Sequence, residues 1–240
     1  MFSLLSILSD IIFVCPACGK SSGSGGNAFC ENCKANLKII PEDAECCPGC
    51  GGIISGALAC CTQCLAEPER PWHKAYTVMP YNQEAKDFIR RFKFSNTPEL
   101  ARPLGYLLAD KIRQNDITAD MIVPVPLHFT RLLSRGYNQS LLLAQIAGKK
   151  SGIPVHNVLK RTFSPSHQAG SSRKARHKNI AGSMYLKDRE SVAGKHLLLL
   201  DDVFTTGATL HAAAMALKKG KPASIQIITL ARTPGYSSFS

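Results

Sequence analysis

The stretch Asp201-Asp202-Val203-Phe204-Thr205-Thr206-Gly207-Ala208-Thr209 sets two carboxylates beside a loop of hydroxyls and small residues. Backbone N–H groups at a helix start have no intrahelical partner and the helix dipole favours negative charge there. Thr205, Thr206, Gly207, Ala208 and Thr209 therefore suit a phosphate. The loop carries no lysine and no G-x-x-x-x-G-K-[ST] pattern, which excludes the loop that cradles nucleoside triphosphates. Carboxylates repel phosphate but accept hydrogen bonds from hydroxyls. Asp201 and Asp202 thus suit a ligand carrying both groups, such as a ribose 5-phosphate with its vicinal hydroxyls.

All ten cysteines precede Arg70, as Cys15-x-x-Cys18, Cys30-x-x-Cys33, Cys46-Cys47-x-x-Cys50 and Cys60-Cys61-x-x-Cys64. Two such knuckles joined by a short loop present four thiolates tetrahedrally, and glycine after a knuckle lets amides turn toward sulfur. The spacing predicts one zinc ion on Cys15, Cys18, Cys30 and Cys33 and a second on Cys47, Cys50, Cys61 and Cys64. Cys46 and Cys60 are left over, each beside a ligand for which it could substitute. A disulfide framework is the competing reading, and paired knuckles without a secretion signal favour metal over it. Residues 1–70 hold too little apolar sequence to fold alone, so zinc is expected to supply much of their folding energy.

A third group is cationic. Arg131 and Arg135 stand with His128 and Gly136-Tyr137-Asn138-Gln139-Ser140 between an apolar run, Met121 to Leu127, and a helix from Leu141 to Lys149. Guanidinium binds phosphate oxygens in pairs, so arginines at a strand end and helix start suit a second phosphate group. From Lys149 to Lys195 there are 11 Lys or Arg against only Asp188 and Glu190.

The elements that must hold these groups follow from pattern. Leu197 to Leu200, bounded by Gly194, read as a strand buried on both faces of a parallel sheet, with Asp201 and Asp202 at its carboxyl end. The Ala-rich run Leu210 to Leu217 reads as a helix stopped by Gly220. Ligands of open α/β sheets bind at such an edge. Upstream, Ala75 to Tyr81 reads as a strand. Glu84 to Phe92 reads as a helix with Phe88, Ile89 and Phe92 inward and Arg90, Arg91 and Lys93 outward, on a solvated face or against an anionic ligand. Pro98 to Asn115 is a second helix, and the prolines of the Met121 run place it at a strand end. Ile225 to Leu230 is the last strand and Ala231 to Ser240 a tail. Met1 to Val14, apolar at helical spacing, reads as an amphipathic helix docked on the body. A removed signal peptide is the weaker alternative, because no Lys or Arg precedes Lys20.

No stretch reaches the ~18 apolar residues of a membrane span, which points to a cytoplasmic protein. Residues 1–70 carry 4 Lys or Arg and 7 Asp or Glu, while residues 71–240 carry 25 and 10, so the net charges are −3 and +15. The expected organisation is a helix at 1–14, a cysteine-rich region at 15–70 and an α/β domain at 71–240. A net charge of +15 attracts phosphate backbones whatever the fold. The basic stretch lacks the regular aromatic interleaving of a platform that stacks bases.

The apolar strand, the two acids and the TTGAT loop resemble the phosphoribosyl pyrophosphate (PRPP) motif of type I phosphoribosyltransferases. Taken with VPVPLH, Arg131 and RGYNQS, the whole chain resembles the ComF family, competence-associated phosphoribosyltransferase-like proteins related to GntX that carry cysteine knuckles ahead of the transferase domain. Tyr137 stands where that family usually has phenylalanine, and the doubled cysteines depart from its pattern. The resemblance implies a type I phosphoribosyltransferase fold, a parallel sheet with flanking helices, preceded by a double zinc ribbon. It implies that Thr205 to Thr209 grip the 5-phosphate, that Asp201 and Asp202 hold the ribose hydroxyls, and that Arg131 and Arg135 hold the pyrophosphate with Mg²⁺. Arg161, Gln168, Arg173, Arg176 and Asn179 match the family's R…Q…R…R..N pattern, which implies a lid over the site with Arg161, Arg173 and Arg176 as catalytic residues; composition alone also fits a disordered basic loop. Two functions stand at this point. One is transfer of ribose 5-phosphate from PRPP to an unidentified acceptor. The other is a non-catalytic protein that senses PRPP or a nucleotide and works with single-stranded DNA and other competence proteins during DNA uptake.

Overall fold

The computed structural model describes residues 14–20, 29–54, 58–67, 69–94, 97–161 and 184–233. The helix expected over residues 1–14 lies outside them except for Val14, as does the tail from residue 234. The strands are β1 Lys74–Pro80, β2 Met121–Pro124, β3 Leu159–Arg161, β4 Met184–Leu186, β5 His196–Phe204 and β6 Ser224–Arg232. The helices are α1 Glu31–Asn36, α2 Thr62–Ala66, α3 Gln83–Phe94, α4 Ala101–Gln114, α5 Phe129–Arg135, α6 Gln139–Ser151 and α7 Ala208–Lys218. Four strands form a parallel sheet in the order β1-β6-β5-β2, and β3 pairs antiparallel with β4.

The leucines of β5 explain the layering. Successive side chains of a strand point to opposite faces, and a run that is apolar at every position needs a cover on both. Leu198 and Leu200 pack with Ile228 and Leu230 under Ile89, Phe92, Leu104 and Leu143 of α3, α4 and α6. Leu197 and Leu199 pack with Val123, Ile225 and Ile227 under Leu210, Ala213 and Leu217 of α7. All four leucines are fully buried.

The cysteine segments join these layers. Cys15 and Cys33 lie in the cluster on the α4 face, while Cys47, Cys50 and Cys64 lie with Trp72 in the cluster on the α7 face. Between them the chain covers the outer edge of β1. The Ala75 N–H donates to the Pro48 carbonyl at 2.8 Å, the Ile40 N–H donates to the Val78 carbonyl at 2.8 Å, and the Thr77 hydroxyl donates to the Cys50 carbonyl at 3.2 Å. A sheet edge that would otherwise expose unpaired groups is thereby closed.

Two elements differ from the sequence reading. β5 does not end at the leucines; its pairing with β6 continues through Asp201↔Thr229 to Phe204↔Arg232, so both acids lie within the strand. The segment with Arg131 and Arg135 is the short helix α5, capped by His128 and closed by Gly136 in the left-handed region at φ 76°. None of its residues is buried, and its apolar set Phe129, Leu132 and Leu133, though at helical spacing, is exposed and too short to mark a helix by periodicity. Among the described residues no helix is long and apolar enough to cross a membrane.

α4 and α6 approach closely at Gly105, where a Cβ would lie 2.6 Å from Ile146 Cγ2. Gly105→Ala is expected to cost about 1–2 kcal/mol net, because overpacking outweighs the gain in helix propensity. Urea unfolding should show a lower midpoint with an unchanged slope.

Candidate functional site

The carboxyl end of β5 opens into a cleft of about 190 Å³ lined by Asp201, Asp202, Lys93, Arg131, Arg135, Gln139, Ser140, Arg161, Thr205 and Thr209. Asn138 starts the wall opposite the acids. Its Oδ1 accepts from the N–H groups of Ser140 at 3.1 Å and Leu141 at 3.4 Å, capping α6, and its Nδ2 donates to the Val125 carbonyl at 3.2 Å. This pins the start of α6 to the end of β2 and aims Ser140 at the acids. Ser140 Oγ donates to Asp201 Oδ1 at 2.8 Å, and the Asp202 N–H donates to the same oxygen at 2.9 Å. Burial, and next the charge of Asp202, push the Asp201 carboxyl up to about 7 against the pull of Ser140 and Lys93.

Asp202 has its own cation: Lys93 Nζ lies 2.8 Å from Asp202 Oδ2, with both side chains mostly buried. Helical periodicity puts Arg90, Arg91 and Lys93 on a solvated face, and only Arg90 is exposed there. Arg91 donates to the Ala17 carbonyl at 2.5 Å and the Pro16 carbonyl at 3.2 Å, inside the first cysteine knuckle. The Phe92 carbonyl accepts from the Tyr137 hydroxyl. Three successive residues at the end of α3 are thus tied to three different segments.

The remaining cations face the acids. Arg135 sits 4.6 Å over the Phe94 ring and donates to Gln139 Oε1 at 3.2 Å; burial lowers its guanidinium while Asp202 opposes that shift. Arg161 is lowered by burial and then by the like charge of Arg131. Among the described residues its Nε and Gln139 Nε2 are buried without a partner. Buried donors of this kind are exceptional and call for an acceptor. Arg173 and Arg176, with Gln168 and Asn179, lie outside the described residues.

The five loop residues divide between two spaces. Thr205 and Thr209 face the cleft, whereas Thr206, Gly207 and Ala208 line an adjoining hollow of about 410 Å³ with Arg70 and His211. Gly207 starts α7 at φ 81° with no side-chain cap, and a Cβ there would lie 2.7 Å from the Phe204 ring. Only glycine fits; the Ala208 N–H donates to Thr206 Oγ1 at 3.4 Å, and the N–H groups that follow in the first turn have no partner within the helix.

The cysteines gather into the two expected tetrads. The sulfurs of Cys15, Cys18, Cys30 and Cys33, and those of Cys47, Cys50, Cys61 and Cys64, lie within 4.8 Å of one another in each group. Cys46 and Cys60 stand outside both tetrads, Cys60 with its sulfur 3.5 Å from that of Cys47. In the second tetrad hydrogen bonds from Cys50 and Cys64 push the Cys47 thiol down, and the bond to Cys47 is the largest cause pushing Cys64 up. Four thiols gathered within 4.8 Å of one another fit a divalent cation, which lets all of them ionise.

Residues 94–239 match the family described as phosphoribosyl transferase domain. The chain belongs to that family. It is 32% identical over 227 residues to "Competence protein F" of Haemophilus influenzae, covering 92% of this chain and 97% of the relative. It is 30% identical over 226 residues to "DNA utilization protein YhgH" of Escherichia coli K12, covering 92% and 97%, and 30% identical over 213 residues to "Competence protein ComFC" of Bacillus subtilis, covering 85% and 84%. The parallel sheet with its flanking helices is the type I phosphoribosyltransferase fold.

In this phosphoribosyltransferase domain the second tetrad reaches the loop through Phe204. Arg70 lies 6.0 Å and Arg232 5.0 Å from the Phe204 ring centre, and Arg70 Nη2 lies 3.7 Å from Cys64 Sγ. The bond to Cys47 pushes the Cys50 thiol up to about 11 against the opposing charge of Arg232, which donates to Gln63 Oε1 at 2.8 Å. The ring that makes Gly207 obligatory is therefore held by two cations that lean on the tetrad.

In the sequence Gln139 and Ser140 stand only as part of a motif, signalled by their place between Asn138 and α6. The outward cations of α3 fit solvent or an anionic ligand equally by periodicity, which does not single out Lys93 from Arg90 and Arg91.

The raised Asp201 has a consequence for stability. An unfolded aspartate titrates near ~4, so between about pH 4 and 7 the native state holds a proton that the unfolded chain has released, and stability falls as pH rises through that window. Without ligand, Asp201→Asn should melt about 3 °C or more above the parent at pH 8, with the gap shrinking toward pH 5.5. A gap independent of pH, in thermal melts, would count against burial of a charge at this site.

Proposed function

We propose that this protein binds PRPP in the cleft and transfers its ribose 5-phosphate to an acceptor. The observation that carries this reading is the convergence of two acids and four cations around one small cleft at the carboxyl end of the sheet, with Thr205 and Thr209 of the loop on its wall. Thr205 to Thr209 take the 5-phosphate on hydroxyls and N–H groups. Asp201 and Asp202 accept from the ribose hydroxyls. Arg131, Arg135 and Arg161 draw the diphosphate, and Arg161 Nε and Gln139 Nε2 offer it donors that have no partner among the described residues. As the bond from C1 to the diphosphate oxygen breaks with its electron pair leaving on oxygen, the acids stabilise the positive sugar and the arginines the departing anion. The acceptor closes the new bond to C1 and releases its proton. Magnesium entering with the diphosphate would neutralise part of its charge, with the carboxylates of Asp201 and Asp202 as the hard oxygen donors at hand.

Each cysteine tetrad, in this reading, holds one structural zinc ion. The relatives' names extend the expectation to DNA uptake or use, and the net charge of +15 on residues 71–240 supports a second reading in which PRPP is sensed while DNA is held. Turnover separates the two.

Titration calorimetry should give PRPP binding to the parent, with Asp202→Asn weakening it about tenfold or more through loss of a charge-assisted acceptor. A screen of nucleobases, amines and single-stranded DNA for PRPP-dependent pyrophosphate release should find the acceptor. Saturable PRPP binding with no release for any acceptor would favour the sensing reading, and unaltered affinity in both Asp201→Asn and Asp202→Asn would remove the assignment of the acids. Elemental analysis should find about two zinc ions per chain; their absence would remove the zinc assignment.

A further inference from the structure

We infer that Lys93 is a ligand-binding residue of the cleft and that its ammonium holds the diphosphate end of the ligand. The inference rests on the PRPP reading and adds to it a cation from outside the matched domain, since the family match begins at residue 94.

The geometry singles out this lysine. Its ammonium lies 2.8 Å from Asp202 and lines the cleft, and its side chain is about one-fifth exposed, so the group is neither buried in the core nor spread on the surface. An ammonium has three donors, and one carboxylate oxygen occupies one of them. The other two can reach anionic oxygens in the cleft without breaking the ion pair. The neighbours decide which end of the ligand those oxygens belong to. Arg135 leans on Phe94, the residue after Lys93, and is pulled by the charge of Asp202, so Lys93 and Arg135 share one carboxylate and one wall. Lys93 therefore belongs with the arginines that face the diphosphate.

Nor is Lys93 placed by chance contact. Arg91 is fixed to the carbonyls of Pro16 and Ala17, the Thr97 hydroxyl donates to the Arg91 carbonyl at 2.9 Å, and Tyr137 holds the Phe92 carbonyl. A long flexible side chain loses ~2 kcal/mol of rotamer freedom when held, and a backbone fixed on either side of it lowers the remaining cost of presenting the ammonium to a ligand.

The test measures three probes by calorimetry, PRPP, inorganic pyrophosphate and ribose 5-phosphate, on the parent, Lys93→Met and Lys93→Arg. Lys93→Met should weaken PRPP and pyrophosphate about tenfold or more and leave ribose 5-phosphate within about twofold, while Lys93→Arg recovers most of the loss. Zinc content and thermal midpoint identify a variant that has failed to fold, and Lys93→Arg then carries the comparison: it must keep pyrophosphate binding. Equal weakening of all three probes by a folded Lys93→Met would mean that the lysine only neutralises Asp202 and would overturn the inference, as would no weakening at all. A parent that binds none of the probes would sink the PRPP reading and this inference with it, whereas a parent that binds PRPP as well as a folded Lys93→Met does would sink the inference alone.

Discussion

Two adjacent carboxylates within a largely buried strand must be compensated by something. Asp201 and Asp202 are 9% and 8% exposed, and the four residues before them are at 0%. An ionised carboxylate taken out of water unpaired costs several kcal/mol, so a chain that puts two side by side must bring donors and cations to the same point. Here they come from separate parts of the sequence: a hydroxyl from the start of α6, an ammonium from the end of α3, and guanidinium groups from α5 and β3. The same acids would be destabilising in a strand without that convergence. Their cost is a reason to regard the site as functional, since a strand built for stability alone would continue its leucines.

The cysteine region braces this arrangement from both sides of the sheet. On the α4 face Arg91 links the knuckle of Cys15 and Cys18 to the end of α3, and hence to Lys93. On the α7 face Arg70 and Arg232 link the tetrad of Cys64 to Phe204, and hence to the turn at Gly207. One tetrad thus bears on the cation that pairs with Asp202 and the other on the loop that offers its N–H groups. A metal held by four thiolates carries a net negative charge, and arginines beside it are the natural counter-ions. The arginines beside the tetrads bear on residues next to the cleft, so a metal bound by either tetrad would be coupled to Lys93 or to the turn at Gly207 as well as to local folding.

Much of this was legible because it is local. The leucines of β5 announce a strand covered on both faces, the C-x-x-C spacing sorts eight of ten cysteines into the tetrads found, and the loop after the acids shows its glycine. What escaped depends on partners far away in sequence. Periodicity shows which side of α3 faces away from its own core contacts. It does not show that residues 16 and 17 cover one outward position and residue 202 another. The end of β5 is decided by its register with β6, because Asp201 pairs with Thr229 and the strand runs on. α5 has no buried residue, so its helix is set by the His128 cap and by Gly136, signals that also mark loops.

Tyr137 shows how such long-range dependence changes the weight of a single atom. Against the phenylalanine usual in ComF proteins the ring is kept, packed 5.7 Å from that of Phe92, and by sequence the exchange looks neutral. The hydroxyl, however, donates to the Phe92 carbonyl, one of the last carbonyls of α3 that has no partner within the helix. A net gain of about 1 kcal/mol is ordinary for such a bond. Its effect is local to the last turn, which is the turn that carries Arg91 to the knuckle and Lys93 to Asp202. Stiffening a helix end matters little where that end is solvated, and much where two consecutive functional contacts hang from it. The tyrosine therefore does for the end of α3 what Asn138 does for the start of α6: each fixes a helix terminus at the rim of the cleft, and between those termini the acids find their partners.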